Sequence, residues 1–129
     1  MKILVVGGGA REHAFAWKLS RERTVTDVLC APGNPGISEV ARCIPADAGN
    51  PADLLTIARR ERVDLTVVGP EVPLSRGIAD AFASDHLPIV GPSAAAAELE
   101  SSKAFAKDFM ARHRVPTARF RTCDSADHS

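Results

Sequence analysis

The amino-terminal stretch, an apolar run followed by three glycines and a helical segment, restricts the fold more than any other part of the sequence. Residues 3–6 are all β-branched or aliphatic, which is typical of a parallel strand covered on both faces. Gly7, Gly8 and Gly9 follow, and we expect a helix over residues 11–20. The free N–H groups and positive dipole end of that helix predict a site for a phosphate or carboxylate.

Dinucleotide binding is the commonest explanation for such a loop, and the sequence disfavours it. Gly7 and Gly9 match the first two glycines of the Gly-x-Gly-x-x-Gly pattern, but Glu12 stands at the third position and would repel a pyrophosphate. The next predicted strand, residues 25–30, runs into the segment 31–36 without an acidic residue at its carboxyl end, where NAD sites carry the acid that binds the ribose. Glu12 could equally be an ordinary acid of a first helical turn.

Composition indicates an ordinary globular domain that recognises its ligands locally. Of the 129 residues, 25% are charged and 45% are hydrophobic, and 16 basic residues balance 16 acidic ones. This balance gives no overall field for nucleic acid or an anionic membrane. Without a long apolar run or a signal-peptide pattern, we expect a cytoplasmic protein with small-molecule partners. The three cysteines form no Cys-x-x-Cys pair, so we interpret them as small buried apolar groups.

Strand-like and helical segments alternate along the chain, which predicts a doubly wound parallel α/β sheet. The strands are expected at residues 3–6, 25–30, 42–44, 63–68 and 87–90, the helices at 11–20, 51–62 and 74–84, and a short turn at 37–41. In the common strand order, the strand ending at Val68 lies beside the first strand. Gly69, Pro70 and Glu71 would then face the glycine loop. Glu71 could accept hydrogen bonds from vicinal hydroxyls, or could simply cap a helix.

Other residues near the glycine loop allow two interpretations. Arg11, a cation in a first helical turn, is weak evidence for an external anion, although a solvated side chain explains it equally well. His13 could donate to a ligand or serve a structural role. Phe15, Trp17 and Leu19 fit the buried faces of the helix and are expected in the core.

The pattern changes after Val90, where we expect the chain to leave the sheet. We predict a first domain over residues 1–92, a linker helix over 93–100, and the start of a second domain over 101–129. The second domain would begin with a serine-capped helix over 101–114 and continue with a strand over 118–123. Lys103 lies in the first turn of that helix, where it could reach a nucleotide phosphate or be an ordinary exposed lysine.

Five ordered motifs resemble one family, phosphoribosylamine–glycine ligase of the ATP-grasp superfamily, and the resemblance covers essentially the whole chain. The motifs are VGGGAREHA (6–14), APGNPG (31–36), VGPEVPL (68–74), GP (91–92), and SKAFAKDFMARH (102–113) with PTA (116–118). The resemblance implies a Rossmann-like preATP-grasp domain followed by the first helix and strand of an ATP-grasp domain. It also implies ATP with Mg²⁺ or Mn²⁺ as cofactors and a monomer at full length.

The family joins glycine to 5-phosphoribosylamine through an acyl phosphate, and its first domain helps to bind the phosphoribosylamine. We expect the turn Gly7, Gly8, Gly9, Ala10 and Arg11, with Glu12, to lie near the sugar phosphate or ribose, and Gly69, Pro70 and Glu71 to approach the ribose hydroxyls. Lys103 matches the first phosphate-reaching lysine of ATP-grasp domains. Counterparts of the remaining ATP and metal ligands are missing before Ser129, so we expect these residues alone to be inactive.

Two other classes of protein stay open at this point. Biotin carboxylase and other ATP-grasp carboxylate–amine ligases share the domain arrangement, although usually without residues 11–13 joined to the 69–71 block. A stand-alone nucleotide-binding or interaction module is the non-enzymatic alternative.

Overall fold

The computed structural model describes residues 1–123, which contain a five-stranded parallel sheet with helices on both faces. The strands are β1 Lys2–Gly7, β2 Asp27–Pro32, β3 Arg42–Cys43, β4 Leu65–Val68 and β5 Ile89–Val90. Their order is β3-β2-β1-β4-β5, and every neighbouring pair is parallel. The predicted doubly wound sheet is therefore confirmed, and β4 lies beside β1 as expected.

Seven helical segments connect or follow the strands in the described part of the chain. They are α1 Ala10–Leu19, a 3-10 turn Ile37–Glu39, α2 Pro51–Glu61, α3 Glu71–Ser75, α4 Ile78–Ser84, α5 Ala94–Ser101 and α6 Lys103–Arg112. Helix α1 and the 3-10 turn pack on one face of the sheet, while α2 and α4 pack on the other. Helix α5 contacts α3, and α6 contacts α5.

Alternating side chains of β1 build the two halves of the core. Leu4 and Val6 pack toward α2 and α4, whereas Val5 packs toward α1 beside Cys30. All of these side chains are fully buried. Because Val6 is in register with both Ala31 and Val68, the loops that follow β1, β2 and β4 all emerge at the same edge of the sheet.

The helix predicted over residues 74–84 is two helices in the structure. Gly77 takes a left-handed conformation, with φ +80° and ψ 27°, and separates α3 from α4. A left-handed residue cannot continue a right-handed helix, and glycine adopts this conformation without a Cβ penalty. Helix α3 also begins earlier than predicted, directly after Pro70.

The strand predicted over residues 118–123 is absent from the described structure, and the last element there is helix α6. These residues are exposed and lie beside no strand of the sheet. An apolar pattern alone does not make a strand, because the backbone N–H and C=O groups need a neighbouring strand with which to pair. Residues 124–129, which we expected to form a polar end, lie outside the described part.

Two aromatic residues of α1 and two cysteines are more exposed than predicted. Phe15 and Trp17 are 37% and 44% exposed, because α1 turns Ala16 and Leu19 toward the sheet and leaves the two rings on its outer sides. The guanidinium of Arg21 lies over the Trp17 ring at 4.1 Å. Cys123 is exposed and Cys43 is half-buried, so only Cys30 matches the expectation of a buried thiol.

Among residues 1–123, no helix combines the length and the apolar character needed to cross a membrane.

Candidate functional site

The loops after β1, β2 and β4 meet at the carboxyl edge of the sheet. The N–H of Gly33 donates to Gly7 O at 3.1 Å, and the N–H of Gly69 donates to Val6 O at 3.2 Å. The predicted meeting of the Gly69–Pro70–Glu71 segment with the glycine loop is therefore confirmed. Ligands of doubly wound sheets bind at this kind of position, where the winding direction reverses between two central strands.

Gly7 ends β1 in a conformation that favours glycine, with φ +121°. This turn directs the following residues over the edge of the sheet toward α1. The carbonyl oxygen of Gly7 also accepts a hydrogen bond from Cys30 Sγ at 3.2 Å. Burial raises the pKa of the Cys30 thiol to about 12, so this thiol is a neutral structural group beneath the loop and not a nucleophile.

The amino terminus of α1 offers backbone donors to an anion. Gly9 is the N-cap residue, and the first helical hydrogen bond runs from His13 N to Gly9 O at 3.0 Å. No described residue accepts a hydrogen bond from the N–H of Ala10 or Arg11. Both residues are exposed, so a phosphate or carboxylate could reach these donors at the positive end of the helix dipole.

Arg11 links the two sides of the site. Its Nη1 donates to Gly69 O at 2.7 Å, and this is the one hydrogen bond of its side chain to a residue in the described part of the chain. A guanidinium has five N–H donors, so most of them stay available to a ligand. The cation at the start of α1, which opposes the helix dipole, thus has a defined position over the β4–α3 loop.

Glu12 lies beneath the loops and is 5% exposed. Its Oε2 accepts a hydrogen bond from the N–H of Gly9 at 2.6 Å, which is the contact that an acid at the third helical position makes in a capping box. The carboxyl group also lies against Gly7 and Gly69. Glu12 is thus buried, whereas Ala10 and Arg11, whose backbone N–H groups have no described acceptor, are exposed.

Glu71 is the first residue of α3 and is exposed. Pro70 precedes it as the N-cap, with φ −81° and ψ 154°, and provides no side-chain cap. An exposed carboxylate beside Gly69 can accept hydrogen bonds from two hydroxyls of a ligand. Its position in the first turn of α3 is also what the helix dipole favours, so both interpretations made from the sequence fit this position.

The amide of Asn34 is a feature of the site that the sequence analysis did not single out. Its Nδ2 donates to Gly8 O at 2.8 Å, and its Oδ1 accepts from the N–H of Ile37 at 2.9 Å. One side chain therefore holds the glycine loop and begins the 3-10 turn. The signal was available in the Pro-Gly-Asn-Pro-Gly sequence, because asparagine between turn residues often bonds backbone groups nearby.

His13 packs against the loop that follows β2, whereas Lys103 lies at the start of α6. A Cβ placed on Gly36 would be 3.1 Å from His13 Cε1, so the half-buried imidazole packs over the β2 loop. A shallow depression of about 390 Å³ lies on the outer face of α1 and is lined by Ala10, His13, Ala14 and Trp17. Lys103 is the exposed first residue of α6, and it forms no hydrogen bond or ion pair with any residue between 1 and 123.

Residues 1–123 contain no group of three or more His, Cys, Asp or Glu side chains that could hold a metal ion. A second cavity, of about 310 Å³, lies at the opposite edge of the sheet. Ser20, Asp27 and Arg42 are among its lining residues. None of the candidate ligand-binding residues reaches it.

The strand order and the helices on both faces of the sheet define a Rossmann-like α/β domain. The chain belongs to the family described as phosphoribosylglycinamide synthetase, N domain, whose family model matches residues 1–100.

Individual relatives agree with this family. The chain is 51% identical, over 129 residues, to phosphoribosylamine–glycine ligase of Xylella fastidiosa, a match that covers 98% of this chain and 30% of the relative. The crystal structure of phosphoribosylamine–glycine ligase from Thermotoga maritima is 26% identical, with a TM-score of 0.68, covering 94% of this chain and 27% of that one. The chain thus spans about 30% of the length of the curated relatives that it matches.

A biotin carboxylase domain has a similar fold at lower sequence identity. The domain from the 2-oxoglutarate carboxylase of Hydrogenobacter thermophilus is 18% identical, with a TM-score of 0.70, and the match covers 90% of this chain and 28% of that one. This likeness shows the shared α/β fold alone.

Proposed function

We propose that this chain forms the phosphoribosylamine-binding domain of a ligase that joins glycine to 5-phosphoribosylamine in purine biosynthesis. The observation that carries the proposal is the junction of the β1–α1 and β4–α3 loops, where Arg11 Nη1 lies 2.7 Å from Gly69 O. This junction places a cation and exposed helix donors on one side and the Glu71 carboxylate on the other. A phosphorylated ribose carries the complementary groups, namely a phosphate and vicinal hydroxyls.

The proposed reaction begins with phosphorylation of the glycine carboxylate by ATP. The ribosyl amine then attacks the acyl carbon of glycyl phosphate, a C–N bond forms, the C–O bond to the phosphate breaks, and the amine loses a proton. The products are glycinamide ribonucleotide, ADP and phosphate. In this scheme the present chain holds the amine substrate, because orienting the nucleophile removes much of the entropic barrier to attack.

Each part of the substrate meets a different group of the chain. Backbone N–H groups of Ala10 and Arg11, together with the guanidinium of Arg11, bind the phosphate. Gly7, Gly8 and Gly9 leave room for the sugar to approach the backbone. Glu71, beside Gly69 and Pro70, accepts hydrogen bonds from the ribose hydroxyls.

The ATP site belongs to a second domain that would begin at residue 101, and Lys103 is the one residue here that we assign to it, as a contact to a phosphate of ATP. Magnesium or manganese would neutralise charge on the phosphates of bound ATP. The described residues provide no metal cluster. We therefore expect residues 1–129 alone to release no ADP when glycine and phosphoribosylamine are supplied together.

Binding of glycinamide ribonucleotide, the stable product, to the chain tests the proposal by isothermal titration calorimetry. Arg11→Ala removes a charge-assisted contact and is expected to weaken binding by roughly 10- to 100-fold. Glu71→Gln replaces the carboxylate, which would accept hydrogen bonds from the ribose hydroxyls, by a neutral amide. We expect this change to weaken binding roughly tenfold. Arg23→Ala and Glu100→Gln, at exposed positions outside the site, are the matched controls and should leave the Kd unchanged.

Competition experiments separate this proposal from the alternatives. Ribose 5-phosphate should compete with glycinamide ribonucleotide for the chain, because both carry the phosphate and ribose. Binding of ADP with no binding of glycinamide ribonucleotide would contradict the proposal and favour a nucleotide-binding module.

A further inference from the structure

Glu12 is unusual because a charged side chain is rarely this buried. It and Thr66 are the two buried polar residues among the described positions, and acidic side chains are seldom fully buried without a partner. The partner is the backbone N–H of Gly9, 2.6 Å from Oε2. A hydrogen bond from a helix N-cap to a carboxylate is charge-assisted and lies at the favourable end of the helix dipole.

The carboxyl group of Glu12 fills the gap between the ends of β1 and β4. A Cβ built on Gly69 would lie 2.6 Å from Glu12 Cδ and 2.8 Å from Cγ, and its three nearest atoms all belong to Glu12. A Cβ on Gly7 would lie 2.8 Å from Glu12 Cγ and 2.9 Å from Pro70 Cδ. These distances are shorter than real Cβ contacts, so a side chain at either position would require the buried Glu12 side chain to move.

A second contact spans the same gap nearer to solvent. Arg11 Nη1 donates to Gly69 O at 2.7 Å, while Glu12 lies against the Cα of the same Gly69. Consecutive residues of α1 thus hold one residue of the β4–α3 loop from two sides. The separation of the two loops, and with it the distance between Arg11 and Glu71, depends on the volume of the Glu12 side chain.

We propose that Glu12 is a positioning residue, which sets the separation of the β1–α1 and β4–α3 loops for the ligand and does not itself bind the ligand. This inference rests on the proposed function for the identity of the ligand. The sequence-based expectation that Glu12 lies near the sugar phosphate or ribose stays a prediction, and the inference gives Glu12 a positioning role there in place of a direct contact. It also assigns a role to Gly69, whose missing side chain provides the space that Glu12 occupies.

The shape and the charge of Glu12 can be separated by two substitutions. Glu12→Gln keeps the shape and an oxygen for the Gly9 N–H, whereas Glu12→Ala empties the gap. For a positioning residue, Glu12→Ala weakens binding of glycinamide ribonucleotide by roughly 10- to 100-fold, because the loops lose their separation. Glu12→Gln should restore the Kd to within roughly threefold of wild type, since the uncharged amide does not repel the phosphate.

A direct ligand gives the opposite pattern for Glu12→Gln. A carboxylate that accepted ribose hydroxyls would lose affinity in Glu12→Gln as well as in Glu12→Ala. Equal losses of tenfold or more in the two variants would therefore overturn the inference. Glu39→Ala, an exposed acid of the 3-10 turn, is the matched control for removal of a carboxylate and should bind like wild type.

A double-mutant cycle on stability tests the packing without any ligand. Gly69 does not have a positive φ, so Gly69→Ala acts through the contact with Glu12. We expect Gly69→Ala to raise the unfolding equilibrium constant roughly tenfold or more in the wild-type background. In the Glu12→Ala background, the same substitution should change it by less than roughly threefold.

The two readouts distinguish failure of the inference from failure of the proposed function. If wild type does not bind glycinamide ribonucleotide, the proposed ligand is wrong, and the cycle alone decides whether Glu12 and Gly69 hold the loops together. If Gly69→Ala destabilises both backgrounds equally, the inference is wrong whatever the ligand.

Discussion

Replacement of Asn34 tests how the glycine loop is held in place. The side chain makes two hydrogen bonds, Nδ2 to Gly8 O at 2.8 Å and Oδ1 from Ile37 N at 2.9 Å. Asn34→Ala removes both, and it leaves the carbonyl of a half-buried glycine and the N–H of a buried isoleucine without these partners. Each bond contributes about 0.5–1.5 kcal/mol of net stability. We therefore expect Asn34→Ala to lower the free energy of unfolding by about 2 kcal/mol.

Asn34→Asp separates the two bonds. The aspartate keeps an acceptor for the Ile37 N–H, but its second oxygen faces the Gly8 carbonyl oxygen where an amide used to donate. Ionisation is disfavoured there, so the pKa of the introduced aspartate is raised in the folded state above its unfolded value of about 3.9. The protonated acid can donate to Gly8 O, so stability relative to wild type increases as the pH falls through the raised pKa, and it is lowest at neutral pH.

Urea unfolding followed by circular dichroism measures both effects, at pH 7 and at pH 4.5. A lower midpoint with an unchanged m value reports a loss of stability, and not a change in the compactness of either state. Ser38→Ala removes an exposed hydroxyl that donates to Pro35 O at 2.6 Å in the same turn, and we expect it to change stability by less than about 0.5 kcal/mol. A loss below about 0.5 kcal/mol for Asn34→Ala, or an Asn34→Asp variant whose deficit is independent of pH, would refute this account of the loop.

Two further predictions concern a buried thiol and a helix cap. Because burial raises the pKa of Cys30 to about 12, a thiol reagent at pH 8 should leave Cys30 unmodified in native protein and modify it in urea. Peptide mass spectrometry checks this, and modification of native Cys30 at the rate of a free thiol would contradict it. Ser102 caps α6 by accepting from Phe105 N at 3.3 Å, so Ser102→Ala should cost about 1 kcal/mol locally. Amide exchange in α6 should accelerate by about fivefold in this variant and not in the neighbouring control Ser101→Ala; equal rates in the two variants would rule out the cap.

The central architecture could be predicted from the sequence because its signals are local. The apolar run of β1, the glycines after it and the alternation of strands and helices fix a parallel sheet, and the usual strand order then places β4 beside β1. The meeting of Gly69 with the glycine loop follows from that order. Pro51 at the start of α2 and a serine cap on α6 were also predictable, since each depends on residues close in the chain.

The remaining features depend on contacts that sequence spacing does not reveal. The apolar character of Phe15 and Trp17 predicts burial, but the angle at which α1 meets the sheet leaves both rings exposed. The burial of Glu12 depends on Gly69, which lies far along the chain. The break at Gly77 was a weaker signal, because an isolated glycine is tolerated within many helices.

The position of β1 in the sheet affects how the chain can fold during its synthesis. This strand precedes the other four described strands in the chain, yet it lies in the centre and pairs with β2 on one edge and with β4 on the other. Its second edge stays open until β4 is synthesised, and Lys2 and Asp64, which hydrogen-bond at the start of these strands, are 62 residues apart. At ordinary rates of translation this delay lasts roughly 3–12 s. A strongly apolar strand with an open edge can pair with other chains, so the nascent protein stays exposed to such pairing until β4 docks beside β1.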